Sequence, residues 1–271
     1  MKKFASILRV VILLVCVVCM GISLWNMIKI QSEYRKGQSS YAALEQFITP
    51  AAPAAPQQSP SPVSPADPDS TQPAGTDPEP GQSLFPQVDF EGLRGINPDI
   101  VGWIYSEGTV INYPVVKGKD NSYYLHRTFD GTYNSAGCIF MERENAGDFS
   151  DFHTILYGHH MKNGSMFASI TEYKDQEYFD AHPTMLLMTP EQNYIIRVYA
   201  GYVTDPSQDA WKIRFDDEAE ALTWMWDRAE KSCFDSGVVP QSGDRIITLS
   251  TCSYEFEDAR FVLLGILEPA S

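Results

Sequence analysis

One long, uninterrupted apolar stretch stands near the start of the chain. No charged residue occurs from Val10 to Ile28, where the sequence is VVILLVCVVCMGISLWNMI. A helix of that length, rising ~1.5 Å per residue, covers roughly 28 Å, about the thickness of the hydrocarbon core of a bilayer. Trp25 stands at the far edge of the stretch, where interfacial aromatic residues are common. The pattern predicts a membrane-spanning helix.

A cleaved signal peptide is the competing interpretation of this stretch. Its apolar region would normally be shorter, and a small-x-small cleavage site would follow it. The residues after Ser23, LWNMIKIQ, offer no such site, and neither Cys16 nor Cys19 follows a lipoprotein-like cleavage box. We therefore predict an uncleaved anchor over 1–28. The Cys-x-x-Cys spacing occurs in redox motifs, but two small apolar residues inside a membrane helix explain it more simply.

The composition changes twice after the anchor. Residues 29–49 look helical and polar, which predicts a membrane-proximal stalk. From Pro50 to Pro86 the chain has eleven of its 18 prolines and neither Lys nor Arg. Such a segment buries too little apolar surface to fold, so we predict a disordered Pro/Ala-rich linker over 50–86 that acts as a tether. A proline-rich ligand for a binding module is the alternative.

From residue 87 onward, short runs of alternating or continuous apolar residues predict β-strands separated by Gly, Pro, Asn and Asp clusters. These runs are VGWIY, TVINYPVV, GCIFM, HTILYG, TMLLMT, YIIRVYAGYV, RIITLSTC and RFVLLGIL. A helix is predicted over 216–231, because acidic residues crowd its start and basic residues its end. Shorter helices are predicted over Phe90–Asn97 and Ser165–Tyr173. The predicted fold class of the globular domain, 87–271, is all-β with added helices, arranged as a closed barrel.

Charge and cysteine content exclude two classes of function. The formal net charge of −15 argues against nucleic acid as a partner, because phosphate binding needs a basic surface. Five cysteines, two of them in the apolar stretch, are too few and too unevenly placed for a disulfide framework. At least one thiol is therefore expected to stay free.

Three residues at predicted strand ends carry candidate chemistry. Cys252 ends RIITLSTC, and Arg260 opens RFVLLGIL, so a hairpin would place both at one rim of the barrel. A neighbouring cation favours the nucleophilic thiolate, and a histidine can transfer the proton. His159 follows another strand, after Gly158, which we expect to let the backbone turn sharply.

Each of these residues also has an ordinary structural explanation. A lone Cys is more often an inert small apolar residue, a strand-opening Arg is usually solvated, and a lone His usually lies on the surface or in the core. Metal binding by the pair His159–His160 is disfavoured, because vicinal histidines do not share a helix face and no zinc-like spacing accompanies them.

The motifs taken together resemble one enzyme family. TLSTC at 248–252 followed by Arg260, and LYGHHM at 156–161, are similar to the cysteine, arginine and histidine motifs of the sortases. NPDIVGWI at 97–104 and INYPVVKGKDNSYYL at 111–125 resemble the class B sortases specifically. The similarity spans about 97–267, nearly the whole globular part.

The resemblance implies a fold and a site. The implied fold is a closed eight-stranded sortase β-barrel with N-terminal helices and a long helix before the catalytic cysteine strand. No metal or organic cofactor is implied; some family members depend on calcium, but no assembled acidic site in this sequence requires it. The implied catalytic residues are Cys252, His159 and Arg260, and the implied substrate-binding residues are Ser250, Asn121 and Leu125.

The resemblance also implies partners and a location. Secreted proteins bearing a C-terminal sorting motif, of the NPxTx or S/PPxTG type, would be cleaved after Thr through a thioester. A lipid-linked peptidoglycan precursor would supply the acceptor amine. The basic residues on the two sides of the anchor nearly balance, so charge does not fix its orientation. The reaction implies a single-pass cell-membrane protein with its N-terminus in the cytoplasm and its catalytic domain outside.

Three alternatives stay open at this point. A pilin-polymerising sortase would use the same catalytic residues with a pilin lysine as acceptor. A non-catalytic surface module with the same barrel would be expected to lack one of the three catalytic residues, and none is missing. A papain-like hydrolase would want its nucleophile at a helix N-terminus and its histidine later in the chain, whereas His159 precedes Cys252.

Overall fold

The computed structural model describes residues 2–50 and 85–270, with side chains from Ile12 onward. Most of the predicted linker, 51–84, lies outside the described residues. The helices are α1 (Lys2–Ala42), α2 (Phe90–Ile96), α3 (Gln176–Ala181) and α4 (Glu218–Glu230), and 3₁₀ turns cover Ala43–Phe47, Tyr123–His126, Ala168–Lys174 and Asp209–Trp211.

Ten strands are described, and eight of them close into a barrel. They are β1 (Ile48–Thr49), β2 (Gln87–Val88), β3 (Ile100–Tyr105), β4 (Asn112–Val116), β5 (Ile139–Met141), β6 (His153–Tyr157), β7 (Thr184–Met188), β8 (Asn193–Thr204), β9 (Ile246–Cys252) and β10 (Arg260–Pro269). The barrel order is β10-β8-β7-β3-β4-β5-β6-β9, with β9 pairing back onto β10. Each of the eight apolar runs in the sequence contains one barrel strand, so the predicted fold class is confirmed.

Two of the barrel pairings are parallel, β4 with β5 and β6 with β9, and the others are antiparallel. The parallel pairing of β6 and β9 matters most for the site, because it brings the carboxyl ends of both strands to the same end of the barrel. The interior is filled by inward-facing residues such as Leu156, Leu249 and Phe261, all at most 1% exposed. This packed interior holds the strand ends in a fixed relation.

The predicted helices agree with the structure except in their details. Asp217 caps α4 by accepting a hydrogen bond from the backbone N–H of Glu220, which explains why the helix begins at Glu218. The helix predicted over Ser165–Tyr173 is a 3₁₀ turn over Ala168–Lys174. The short helix α3 follows it and was not predicted, because six residues carry too little periodicity to recognise.

Helix α1 is long and apolar enough in its first part to cross a membrane, and its apolar side chains from Ile12 onward are exposed. The helix continues through most of the predicted stalk, as far as Ala42, and its last turns pack on the barrel. The Tyr41 hydroxyl donates a hydrogen bond to the Gly137 carbonyl, and Leu44 is 5% exposed. Strand β1 follows and pairs antiparallel with β2.

Candidate active site

Cys252 and Arg260 lie directly opposite each other at the ends of adjacent antiparallel strands, as the sequence predicts. Both residues are half-buried. The Arg260 Nη1 donates to two carbonyls of the preceding loop, those of Asp258 at 2.9 Å and Ala259 at 3.0 Å. These bonds hold the guanidinium against the loop that joins the two strands. Asp258 has φ of +59°, a backbone conformation that Asp tolerates better than most side chains.

The segment carrying His159 is fastened to the cysteine strand by two hydrogen bonds. Tyr157, the last residue of β6, pairs with Ser250 of β9. The Gly158 N–H donates to the Ser250 carbonyl at 3.1 Å, and the Thr251 hydroxyl donates to the Gly158 carbonyl at 2.7 Å. The histidine segment and Cys252 are therefore positioned by the same strand.

The His159 ring is oriented by a backbone carbonyl. Its Nε2 lies 2.7 Å from the Leu125 carbonyl oxygen. A carbonyl only accepts, so Nε2 carries a proton in this arrangement, and Nδ1 is the nitrogen left for chemistry. The His126 ring stacks on the His159 ring at a centroid distance of 6.2 Å.

His160 faces the cysteine strand rather than Leu125. Its Nδ1 donates to the Cys252 carbonyl at 3.0 Å, and its ring packs against Tyr254 at a centroid distance of 5.0 Å. The adjacent histidines therefore have different partners. His160 holds the backbone of Cys252, and His159 lies against the 3₁₀ turn Tyr123–His126.

The structure gives Gly158 a different role from the sharp turn expected from the sequence. Its φ is not positive, but a Cβ at this position would lie 2.5 Å from Ile139 Cδ1 and 2.6 Å from the Phe167 ring. The Phe167 N–H in turn donates to the His159 carbonyl at 3.0 Å. Gly158 therefore allows Phe167 to pack directly beneath the histidine segment.

The loop between Cys252 and Arg260 is tied to the 3₁₀ turn Ala168–Lys174. Glu255 accepts hydrogen bonds from both Lys174 and Ser253, and Lys174 also donates to the Ser253 hydroxyl at 3.2 Å. Partial burial pulls the pKa of Glu255 upward, but the hydrogen bonds from Lys174 and Ser253 outweigh it and hold the pKa at about 2. Glu255 is therefore charged at neutral pH and fixes the loop.

Other cysteines in the globular part lack this setting. Burial raises the pKa of Cys138 to about 12, so its thiol stays protonated. Desolvation of the thiol also raises the pKa of Cys233, which lies outside the strands. Cys252 is thus the cysteine with both a strand-end position and a neighbouring guanidinium.

Strand alternation places Ser250 on the same face of β9 as Cys252. Ser250 is 4% exposed, and its hydroxyl accepts a hydrogen bond from the Trp211 indole N–H at 3.2 Å. The 3₁₀ turn that carries Trp211 thus covers Ser250. A substrate that contacts Ser250 must share this position with Trp211.

Asn121 and Leu125 lie on the opposite side of β6 from β9. The Asn121 amide donates to Glu142 Oε2 at 2.7 Å and its oxygen accepts from the Arg143 N–H. The Tyr157 hydroxyl also donates to Glu142 Oε2, at 2.8 Å. Asn121 is thus connected through Glu142 to Tyr157, the pairing partner of Ser250. Leu125 contributes its carbonyl to His159.

A buried histidine, His153, supports the same face of the barrel. It is 0% exposed, with Nδ1 2.7 Å from the Lys212 carbonyl and Nε2 2.7 Å from the Thr248 hydroxyl. Burial lowers the pKa of His153 to about 4. The side chain is neutral near pH 7 and ties the loop carrying Trp211 to β9.

Two contributions escaped the sequence-based reasoning. The Leu125 carbonyl orients His159, and the Thr251 hydroxyl fastens Gly158, yet neither atom is marked by residue type or by periodicity. Thr251 stands inside TLSTC, which is the signal that could have pointed to it. Within 2–50 and 85–270, no group of three or more His, Cys, Asp or Glu side chains is arranged to hold a metal ion.

This geometry agrees with what the chain is similar to. A family model described as the sortase domain matches residues 104–267. The chain belongs to the sortase family, whose members are cysteine transpeptidases. Within that family its likeness is to sortase B. Sortase B of Listeria monocytogenes is 36% identical over 181 residues, which are 66% of this chain and 74% of the relative.

Solved structures agree in fold. A Staphylococcus aureus sortase B–substrate complex is 33% identical with a TM-score of 0.64, over 67% of this chain and 85% of that one. Sortase B from B. anthracis in complex with AAEK1 is 30% identical with a TM-score of 0.70, over 89% of this chain and all of that one.

Proposed function

We propose that this class B sortase is anchored in the cell membrane and cleaves a C-terminal sorting motif, of the NPxTx or S/PPxTG type, after its Thr. The released protein is transferred to an amine of a lipid-linked peptidoglycan precursor. The observation that carries the proposal is the direct pairing of Cys252 with Arg260, with the His159 segment fastened to the same strand. The residues that we propose as nucleophile, oxyanion donor and proton donor therefore lie at one end of one barrel.

The first half of the proposed reaction forms a thioester. The Cys252 thiolate attacks the carbonyl carbon after Thr, and negative charge develops on the carbonyl oxygen. Arg260 donates hydrogen bonds to that oxygen. When the C–N bond breaks, the leaving amine takes a proton from the His159 imidazolium, and Cys252 stays acylated. Since Nε2 donates to Leu125, Nδ1 is the nitrogen suited to deliver this proton.

The second half transfers the acyl group. The acceptor amine attacks the thioester carbonyl, gives up a proton to His159 and releases the Cys252 thiolate. One peptide bond has been exchanged for another, and no oxidant, metal or cofactor takes part.

Ser250, Asn121 and Leu125 are proposed to line the groove for the sorting motif. Ser250 lies in β9 at its pairing with β6, and Asn121 and Leu125 lie on the other side of β6. The related sortase B of S. aureus has been solved as a substrate complex, which supports a substrate groove in this family. Trp211 over Ser250 is proposed to narrow it.

The membrane proposal rests on α1 and on the location of the partners. Its first part is long and apolar enough to span a bilayer. Substrate and acceptor are both expected outside the cytoplasmic membrane, so the N-terminus is proposed to be cytoplasmic and the barrel extracellular.

Substitutions at the proposed nucleophile and at the two histidines test the reaction. We expect Cys252→Ala to abolish cleavage of a fluorogenic sorting peptide, with Cys138→Ala and Cys233→Ala retaining it.

We expect His159→Ala to lose several orders of magnitude in kcat/KM and His160→Ala far less, because His160 contacts only backbone and Tyr254 among its described partners. Full activity in Cys252→Ala, or the reverse ranking of the histidines, contradicts the proposal.

Incubation of the acyl-enzyme with a peptidoglycan-precursor peptide and with a lysine-containing pilin peptide tests the acceptor. Transfer to the first alone supports wall attachment, and transfer to the lysine side chain alone assigns the chain to pilus assembly instead.

A further inference from the structure

Helix α1 contacts the barrel soon after its apolar part ends. Asn134 Nδ2 donates to the Glu33 carbonyl at 3.0 Å, and Tyr41 donates to the Gly137 carbonyl. Gly37 is buried at this contact, where a Cβ would lie 3.0 Å from Asn134 Oδ1. The backbone of α1 at Gly37 therefore packs directly against the side chains of Asn134 and Ala136 in the loop before β5.

The proline-rich segment begins and ends at one place. Strand β1 precedes it and β2 follows it, and the two pair antiparallel with Ile48 opposite Val88 and Thr49 opposite Gln87. Leu44, just before β1, is already buried in the barrel-side core. The covalent path from α1 to the barrel therefore does not gain length from residues 51–84. The pairing therefore favours α1, rather than this segment, as the part of the chain that positions the barrel.

The contact with α1 lies at the end of the barrel that carries the active site. The Tyr41 ring packs edge-on against Tyr113, near the start of β4, at a centroid distance of 5.2 Å. The paired strand directions place the starts of β4 and β5 at the same end as the carboxyl ends of β6 and β9. Cys252 and the histidine segment are at this end, and the turn between β7 and β8 is at the other.

The helix and the catalytic histidine are also neighbours through the backbone. Gly137, which accepts from Tyr41, has φ of +60° and lies so close to the 3₁₀ turn Tyr123–His126 that a Cβ would be 2.7 Å from the Leu125 carbonyl oxygen. That same oxygen accepts from His159. Helix α1 therefore reaches His159 through the backbone of Gly137, which binds Tyr41, and that of Leu125, which binds His159.

We propose that α1, and not the proline-rich segment, sets the position of the barrel, holding its active-site end toward the bilayer surface. The proposal rests on the membrane anchoring in the proposed function. Along a helix, the five residues from Ile28 to Glu33 span about 7–8 Å, and the thirteen from Ile28 to Tyr41 about 20 Å. The surface that meets the phospholipid headgroups is therefore the rim around Asn134, and a sorting motif close to its own membrane segment is within reach of Cys252.

Energy transfer from the barrel to the bilayer tests the proposal. The full chain is reconstituted in phosphatidylcholine–phosphatidylglycerol vesicles that contain an acceptor-labelled lipid. A donor dye is attached through an unnatural amino acid, either at Glu257 in the loop before Arg260 or at Glu191 in the turn between β7 and β8, both of which are exposed. We expect stronger transfer from position 257 than from position 191.

Two variants and a matched control separate the helix from the segment. Replacing 51–84 by a short Gly/Ser turn should leave both transfer efficiencies unchanged. If the segment were a flexible tether, its loss would shorten the distance between the bilayer and the barrel by roughly 30 Å. Gly37→Leu should reduce the difference in transfer efficiency between the two dye positions, because the larger side chain would separate α1 from Asn134. Ser39→Leu places the same side chain on the exposed face of α1 and should not.

Equal transfer from both dye positions in the wild type, a large change on deleting 51–84, or identical behaviour of Gly37→Leu and Ser39→Leu overturns the proposal. Cleavage of a soluble sorting peptide checks that each variant is folded. Failure of the wild-type chain to float with the vesicles would instead refute the membrane anchoring itself, which keeps the two proposals distinguishable.

Discussion

Residue type predicts some members of the candidate site, but not the main-chain atoms that orient them. Cys252 and Arg260 could be predicted because each stands at a strand end, and a hairpin makes such ends neighbours. The partner of the His159 ring could not, because it is a main-chain carbonyl contributed by a residue far away in the sequence. Side-chain identity predicts which groups react, whereas their orientation depends on contacts that only the folded chain creates.

Arg260 gives the first test at this scale. A guanidinium presents a rigid fork of donors, and Lys offers a compact point charge. If Arg260 stabilises an oxyanion, both Arg260→Lys and Arg260→Ala should lower kcat/KM by about 10²–10³ on one sorting peptide. Arg197→Ala, which removes an exposed arginine paired with Glu268 on the same barrel, is the control and should stay near wild type. If both Arg260 variants are folded and within about threefold of wild type, Arg260 takes no part in the reaction.

His153 gives a prediction about pH. Its folded pKa of about 4 lies below the usual value near 6.5, so between these values the unfolded chain binds a proton that the folded chain does not. Stability should therefore be full above about pH 6.5 and fall by up to about 3 kcal/mol as the pH drops toward 4. His153→Gln should be less stable at pH 7.5 but lose less on acidification. Urea unfolding followed by tryptophan fluorescence at pH 7.5 and 5.0 measures both, and equal losses in the two proteins would refute the assignment.

At the scale of elements, the strands were predictable because burial on one or both faces leaves a clear apolar pattern. The cap of α4 was predictable for a similar reason, since Asp217 and its acidic neighbours mark a helix start. Strands β1 and β2 were not, since two residues each carry no period. Their pairing brings the two ends of the proline-rich segment together.

The loop from Ser253 to Ala259 joins Cys252 to Arg260, and its attachment to Lys174 can be tested. Lys174→Met keeps a side chain beside the Phe261 ring but removes the hydrogen bonds to Ser253 and Glu255. Because both charged groups are partly exposed, the stability cost should be at most about 1 kcal/mol. A looser loop should nevertheless lower kcat/KM about three- to fivefold and speed amide exchange at 253–259. Lys162→Met, an exposed lysine in the loop after the histidines, is the matched control; equal effects of the two would mean that the network does not position the loop.

At the scale of the whole molecule, composition divides the chain into anchor, stalk, linker and barrel. In the structure, the stalk packs on the barrel. Tyr41 and Leu44 lie in a segment whose polarity suggested a solvated stalk, yet both pack on the barrel. Composition averaged over the segment misses Tyr41, in the last turn of α1, and Leu44, in the 3₁₀ turn that follows. The barrel itself was predictable since its strands are numerous and short, but the packing of the predicted stalk helix on its surface was not.

A truncation tests that integration. A chain that begins at residue 85 lacks Leu44, which is buried, and Tyr41, which is half-buried. Full burial of an apolar side chain contributes about 1.5–3 kcal/mol and half burial about half as much, so this chain should be less stable by about 2–5 kcal/mol than a chain that begins at residue 29. A chain that begins at residue 29 but has 51–84 replaced by a short turn should match the longer one. Thermal and urea unfolding measure the difference, and equal stability of the chains starting at 29 and 85 would show that the stalk only rests on the barrel.

The parallel pairing of β6 with β9 has a consequence for the order in which the molecule matures. His153 opposes Ile246, and Arg260 opposes both Cys252 and Thr204, so the barrel closes only when the last strands pair with partners far earlier in the chain. Contacts between residues so far apart in the sequence form late, because the entropy cost of closing a large loop comes before the favourable energy of the contacts. We therefore expect the Cys252 thiol to have no formed site around it until β9 and β10 have paired with their partners. We expect reactivity of this thiol to depend on the pairing of the β9–β10 hairpin that completes the barrel.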